Sequence, residues 1–168
     1  MDEVSRWITE NTFLAGRHYS YKHHEYQTRI LDSTARETVV RKCSQAGISE
    51  IAVRKALALC GMIKNFTTIY TLPTAALASI LAKTRVNPVI NESPYLSAQI
   101  TGTDSIEVKQ FDTSFLYLKG AASSNAPISI PADFLIHDEL DFSDPFVISQ
   151  YPVSYTHLRA HETALDLV

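Results

Sequence analysis

Three apolar residues, Phe134-Leu135-Ile136, run straight into His137-Asp138-Glu139, with Pro131 just upstream. A short apolar run with no polar alternation reads as a strand buried on both faces. Here it would deliver two carboxylates to its C-terminal tip. A chain built around such a strand needs cover above and below the sheet, which points to layered α/β architecture.

The upstream sequence supplies the matching alternation. Residues 38–42 are short and β-branched and predict a strand. A turn ending at Gly47 follows, and Ser49 opens a helix expected from Glu50 to about Met62. Ala52, Val53, Ala56, Leu57 and Cys60 fall on one face of it, with Arg54 and Lys55 expected on the other. Glu50 and Arg54 make an i, i+4 ion pair in the favoured orientation. Residues 66–72 predict a second strand, closed by Pro73-Thr74, and a helix is expected over 75 to about 84. Strand, helix, strand, helix at this spacing is the signature of a parallel sheet. Asn87-Pro88 and Ser93-Pro94 then divide a stretch of short helical turns. Residues 106–111 and 114–119 predict a hairpin through Asp112-Thr113, and 120–129 a loop. Ahead of the first strand, short helices are expected over 4–10 and 23–33.

The chain has 168 residues, enough for one domain with its own core. Its net charge of -3 gives no global basic field, so any nucleic-acid role must rest on local sites or on other parts. Cys43 and Cys60 make no disulfide framework, and both are expected to be buried thiols. His18, His23 and His24 lack cysteine or carboxylate partners that would complete a metal set. No apolar run approaches the ~20 residues of a membrane span. The N-terminus lacks the basic and apolar regions of a signal peptide, so the cytoplasm is the expected compartment.

The chemistry rests on two stretches. A phosphate-binding loop sets a Gly-containing turn between strand and helix, with backbone N–H groups on the phosphates, a lysine on the outer phosphates and a hydroxyl on Mg²⁺. Lys42-Cys43-Ser44-Gln45-Ala46-Gly47-Ile48-Ser49 has the turn, Gly47 and the Ser49 hydroxyl, but Ile48 stands where the usual lysine would be. Lys42, at the head of the turn, is the one lysine in reach. Taken alone, the stretch also fits an ordinary strand-turn-helix with Lys42 in solvent. In the second stretch Asp138 fits a Mg²⁺ ligand and Glu139 a general base for an attacking water. Leu140, Asp141, Ser143 and Asp144 leave open an acid-rich helix start. Both motifs in one α/β chain, in this order, favour a nucleoside triphosphate site.

These stretches resemble the large terminase subunit of tailed phages, the ATPase motor that packages DNA. The loop at 42–49 resembles a variant Walker A whose lysine sits at its head. Ile69-Tyr70-Thr71-Leu72-Pro73-Thr74 resembles the family's strand ending in Leu-Pro-Thr, and residues 135–141 its Walker B with catalytic Glu. Tyr26-Gln27 resembles the adenine-reading segment. The resemblance covers about residues 20–151. It implies an incomplete P-loop NTPase of ASCE type: a three-layer α/β/α fold with a mostly parallel sheet and a β-hairpin insertion. It further implies ATP and Mg²⁺ as cofactors, Lys42 and Glu139 as catalytic groups, and Ser49 with Asp138 on the metal. The loop residues 42–49, Tyr26 and Gln27 would bind nucleotide; Gln45 stands where many members carry arginine. Double-stranded DNA, the portal protein, the small terminase subunit and a homo-oligomeric ring are the implied partners, in the host cytoplasm and without a membrane. The alternative is a P-loop-like binding or DNA-interaction module without catalysis, favoured by the lysine absent at position 48.

The expected organisation is an adenine-side segment over 1–36, an ATPase core over 37–152 truncated after the Walker B acids, and a non-native tail over 153–168. Residues 154–163 resemble translated sequencing-adapter read-through; read as native, 158–167 would be a short amphipathic helix. In the family's fold the strand after Walker B enters between the Walker A and Walker B strands. The sheet is therefore expected to have a gap there.

Overall fold

The computed structural model describes residues 3–43, 45–121, 130–150 and 163–167. Helix α1 (Glu3–Asn11), the two-residue strands β1 (Phe13–Leu14) and β2 (Arg17–His18), and helix α2 (Tyr26–Leu31) come first. The alternation follows: β3 (Glu37–Val40), α3 (Ile48–Met62), β4 (Thr67–Leu72) and α4 (Ala75–Leu81). A π-helical turn (Ala82–Val86) leads into α5 (Asn87–Glu92) and α6 (Pro94–Gln99). Strands β5 (Ile100–Asp104), β6 (Val108–Phe111), β7 (Ser114–Gly120) and β8 (Phe134–His137) precede a 3-10 turn (Leu140–Phe142), α7 (Pro145–Gln150) and β9 (Thr163–Leu167).

Seven strands form one sheet in the order β3-β9-β8-β4-β7-β6-β5. The five from β3 to β7 run parallel, and the β5–β6–β7 meander closes the far side antiparallel. The predicted hairpin is β6–β7, turning at Asp112, whose φ is +53°. Helix starts follow local chemistry. The Thr74 hydroxyl accepts from Leu77 N at 3.2 Å and the Ser93 hydroxyl from Leu96 N at 3.1 Å, each capping the helix that follows. Pro94 then sits at the first helical position, where no N–H is needed.

Period-2 alternation splits the central strands between two cores. Tyr70, Phe134 and Ile136 pack with Ile51, Leu57 and their neighbours on α3. Ile69 and Leu135 pack on the opposite face with Ala132 and Val147 of α7. Each fully buried Leu or Ile contributes about 1.5–3 kcal/mol, and β8 is buried along its whole length. Three layers result, as the α/β reading requires.

Four expectations are corrected. Arg54 and Lys55 are buried, not solvated: Thr12, Phe13 and the Tyr19 ring cover Arg54, while the Lys55 ammonium lies over the Phe134 ring of β8. Cys43 is exposed, since it sits on the loop after β3 rather than in the core; Cys60 is buried. Residues 163–167 form a strand rather than part of a helix, while 158–162 lie outside the described residues. Finally, the sheet has no gap beside the loop. Strand β9 pairs in parallel with β3 on one side and β8 on the other, because two facing rows of backbone donors and acceptors there hold an extended segment. The loop expected over 120–129 also falls mostly outside the described residues, and β5 is a strand that the sequence reading did not assign.

Candidate functional site

Strand β3 ends at Val40, and the chain turns through 41–47 into α3. Gly47 caps that helix with φ +71°. A Cβ there would approach Gln27 Nε2 to 2.9 Å, so glycine answers both the backbone and the close approach. Gln45 also holds a positive φ, +62°. Ser44 lies outside the described residues. Beneath the loop, the Tyr26 hydroxyl donates to Ala46 O at 2.5 Å. Gln27 is buried and accepts from the Tyr19 hydroxyl at 2.9 Å. Tyr26 and Gln27 thus back the loop and do not line the cleft above it.

Ninety-six residues separate Lys42 from Asp138, yet the Lys42 ammonium donates to Asp138 Oδ1 at 2.9 Å and to Ser49 Oγ at 3.0 Å. The Asp138 side chain is only 2% exposed, and its other oxygen accepts from the Tyr70 hydroxyl at 2.8 Å. Burial first, and the Asp138 carboxylate second, push the Tyr70 phenol well above its ordinary value, so it stays a donor. Glu139 N also donates to Asp138 Oδ1, at 3.0 Å. Asp138 N is bound to Thr71 O at 3.0 Å, which anchors the acid pair to β4. Glu139 itself adopts φ +58°, a left-handed conformation that costs a non-glycine residue about 1–3 kcal/mol. His137, just before the pair, is buried and meets the Thr71 hydroxyl at 2.6 Å.

Loop and acids border one cleft of about 420 Å³. It is lined by the described residues of the loop from Lys42 to Ser49, by Glu139, Asp141 and Phe142, and by Glu50 and Arg85. Lys42, Ser49 and Asp138 therefore meet in space as the sequence reading requires, with Glu139 beside them. Tyr70 and Arg85 were not anticipated. Tyr70 lies in the recognised β4 stretch but reaches Asp138 only through the β4–β8 pairing. Arg85 meets Glu50 across 35 residues with no spacing signal.

A strand-loop-helix facing a strand tipped with Asp-Glu is shared by many nucleotide-dependent families, and comparison with known proteins narrows it. The family described as phage terminase large subunit gpA, ATPase domain, matches residues 20–149. The chain belongs to this terminase family. No curated protein matches it. Among solved structures, the large terminase of bacteriophage HK97 superposes with a TM-score of 0.78 at 12% identity, over 98% of this chain and 36% of that one. The large terminase ATPase domain of Thermus phage P74-26 gives 0.66 at 20% identity, over 86% of this chain and 63% of that one. The large terminase of a further thermophilic bacteriophage, in complex with ADP, gives 0.57 at 11%, over 84% and 37%. At these identities the likeness is one of fold. The chain spans about a third of the length of the HK97 terminase. Among its described residues no helix is long and apolar enough to cross a membrane.

No group of three or more His, Cys, Asp or Glu gathers to hold an ion among the described residues. Mg²⁺, however, needs only one or two protein oxygens when phosphates and water complete its shell. The Lys42 ammonium already bridges Ser49 Oγ and Asp138 Oδ1. A cation is thus accommodated between those two oxygens, and the donor set fits Mg²⁺.

Proposed function

We propose that this chain is the ATP-binding and ATP-hydrolysing part of a large terminase that drives double-stranded DNA into a procapsid. The observation that carries the reading is the convergence of Lys42, Ser49 and Asp138 from opposite ends of the domain. The lysine absent before Ser49 was the ground for a non-catalytic binding module. Lys42 reaching Ser49 across the loop supports the enzyme instead.

The roles follow from the atoms. Backbone N–H groups of Cys43, Gln45, Ala46, Gly47 and Ile48 would face the phosphates, and Lys42 would neutralise the outer ones. Tyr26 and Gln27 hold the loop from the adenine side. Ser49 and Asp138 would hold Mg²⁺, which when bound supplies positive charge to the phosphate oxygens. Tyr70 keeps the Asp138 carboxylate oriented toward that position. Glu139 orients the attacking water and takes its proton. Glu139, left-handed at the strand's end, lines the cleft. Membership of the terminase family supports a ring of copies acting with a portal and a small subunit on DNA.

ATP hydrolysis by the protein, measured with and without double-stranded DNA, tests the reading. Lys42→Ala should abolish turnover. Glu139→Gln should still bind ATP while turnover falls at least about a hundredfold. Full turnover in Lys42→Ala would overturn the assignment.

A further inference from the structure

Arg85 belongs to none of the motifs above, yet it lines the same cleft as Lys42, Ser49 and Glu139. It sits in the π-helical turn Ala82–Val86. Such turns sacrifice regular hydrogen bonding and occur frequently at functional sites. Its guanidinium donates through Nη1 to Glu50 Oε2 at 2.7 Å. Nε and Nη2 have no hydrogen-bond partner among the described residues, and the side chain is 45% exposed. A planar fork with free donors matches a phosphate better than it matches one carboxylate oxygen.

Glu50 does not depend on Arg85. Its other oxygen, Oε1, accepts from Arg54 Nε at 3.1 Å and Nη2 at 2.8 Å. Arg54 is wholly buried and is itself held by the Thr12 hydroxyl at 2.6 Å, by Phe13 O at 2.9 Å and over the Tyr19 ring at 4.1 Å. One arginine on Glu50 is therefore fixed and the other can leave without stranding a buried charge. The cleft also needs that second cation. Among the residues lining it, Lys42 and Arg85 are the positive groups against Glu50, Glu139 and Asp141, so one lysine alone would face three acids as well as the phosphates.

We propose that Arg85 is a phosphate-contacting residue: it rests on Glu50 and turns its guanidinium onto the terminal phosphate when ATP binds. This rests on the nucleotide-site reading above. Glu50 is the return point, kept neutralised by Arg54 while Arg85 is away. The consequence is discrimination of ATP from ADP, since ADP lacks the γ-phosphate that Arg85 would reach.

The test is binding of ATP and of ADP, each with Mg²⁺, to the wild-type chain, Arg85→Ala and Arg85→Lys, beside a thermal melt of each without nucleotide. Arg85→Ala should bind ATP about tenfold or more weakly, bind ADP within about twofold of wild type, and melt as wild type does. Arg85→Lys should fall between, since it keeps the charge and loses the fork. A purely structural or long-range electrostatic role would weaken both nucleotides alike. An unchanged ATP-to-ADP preference in Arg85→Ala, with wild type binding both, overturns this proposal alone. Wild type binding neither nucleotide overturns the site reading and this proposal together.

Discussion

Asp138 carries three hydrogen bonds on two oxygens while 2% exposed, and its partners are not equivalent. Lys42 brings the compensating charge; Tyr70 brings direction. Lys42→Ala should therefore lose nucleotide binding and also cost about 2–3 kcal/mol, somewhat less than a fully buried pair because Lys42 is 20% exposed. Tyr70→Phe should cost about 1.5–3 kcal/mol, the range for a hydrogen bond to a charged group, yet retain ATP binding. Chemical denaturation with parallel nucleotide titration separates the two. His137 adds a pH dependence. Burial lowers its imidazole to about 4 from an ordinary 6.5. The unfolded chain takes up that proton through pH 6.5, and the folded chain does not until about 4. Stability should thus be level above about pH 6.5 and fall by up to about 3 kcal/mol toward about pH 4. His137→Gln should flatten that slope in melts across the window. At this scale the sequence was informative where chemistry is local. Lys42, Gly47 and Ser49 share one loop, and Asp138 and Glu139 one strand end. Tyr70 and Arg85 were silent because only folding gives them their partners.

Helix α3 shows why elements are easier to locate than to orient. Its apolar residues predicted both its existence and its sheet-facing side, and its start differs by two residues from expectation. The polar pair Arg54 and Lys55 suggested a solvated back. Instead Thr12, Phe13 and the Tyr19 ring enclose Arg54, and Lys55 is buried beside the sheet. Lys55 lies over the Phe134 ring at 5.4 Å. Burial lowers its ammonium to about 8 from 10.5, with Asp32 opposing the shift. Holding that charge inside costs stability at neutral pH, and the cost should fade as pH rises from about 8 to 10.5. Lys55→Met should accordingly stabilise the fold by about 1–3 kcal/mol at about pH 7, read as a raised melting temperature. Strand β5 escaped notice for a different reason: residues 100–104 are exposed along most of their length and carry no apolar alternation. Its neighbour at the other end of the meander is tightly specified. A Cβ on Gly120 would meet Ala75 N at 2.2 Å and Thr74 C at 2.6 Å. Backbone atoms cannot rotate away, so Gly120→Ala should displace the start of α4 and cost more than about 2 kcal/mol.

The attachment of β3 to the sheet depends on a strand that sequence patterns assign elsewhere. Residues 163–167 are composed largely of helix formers, and local propensity would coil them. In the fold this segment runs between β3 and β8, in register Glu37 with Ala164 and Phe134 with Thr163. Two parallel strands with unpaired inner edges override that propensity, since each unmade backbone hydrogen bond in a sheet interior is costly. The geometry has a functional corollary. Among the described residues strand β3 joins the sheet through β9 alone, and the loop bearing Lys42 hangs from the end of β3. The loop bearing Lys42 is thus held opposite Asp138 in part through a segment that belongs to neither motif. Removing residues 163–168 should free β3 from the sheet, lower the melting temperature, and weaken ATP binding as severely as Lys42→Ala does. The exposed inner edges of β3 and β8 should also promote self-association, visible by size-exclusion chromatography. A shortened chain that stays monomeric, melts unchanged and binds ATP normally would show instead that β3 is held by its helices, and that β9 is an ornament on an already complete site.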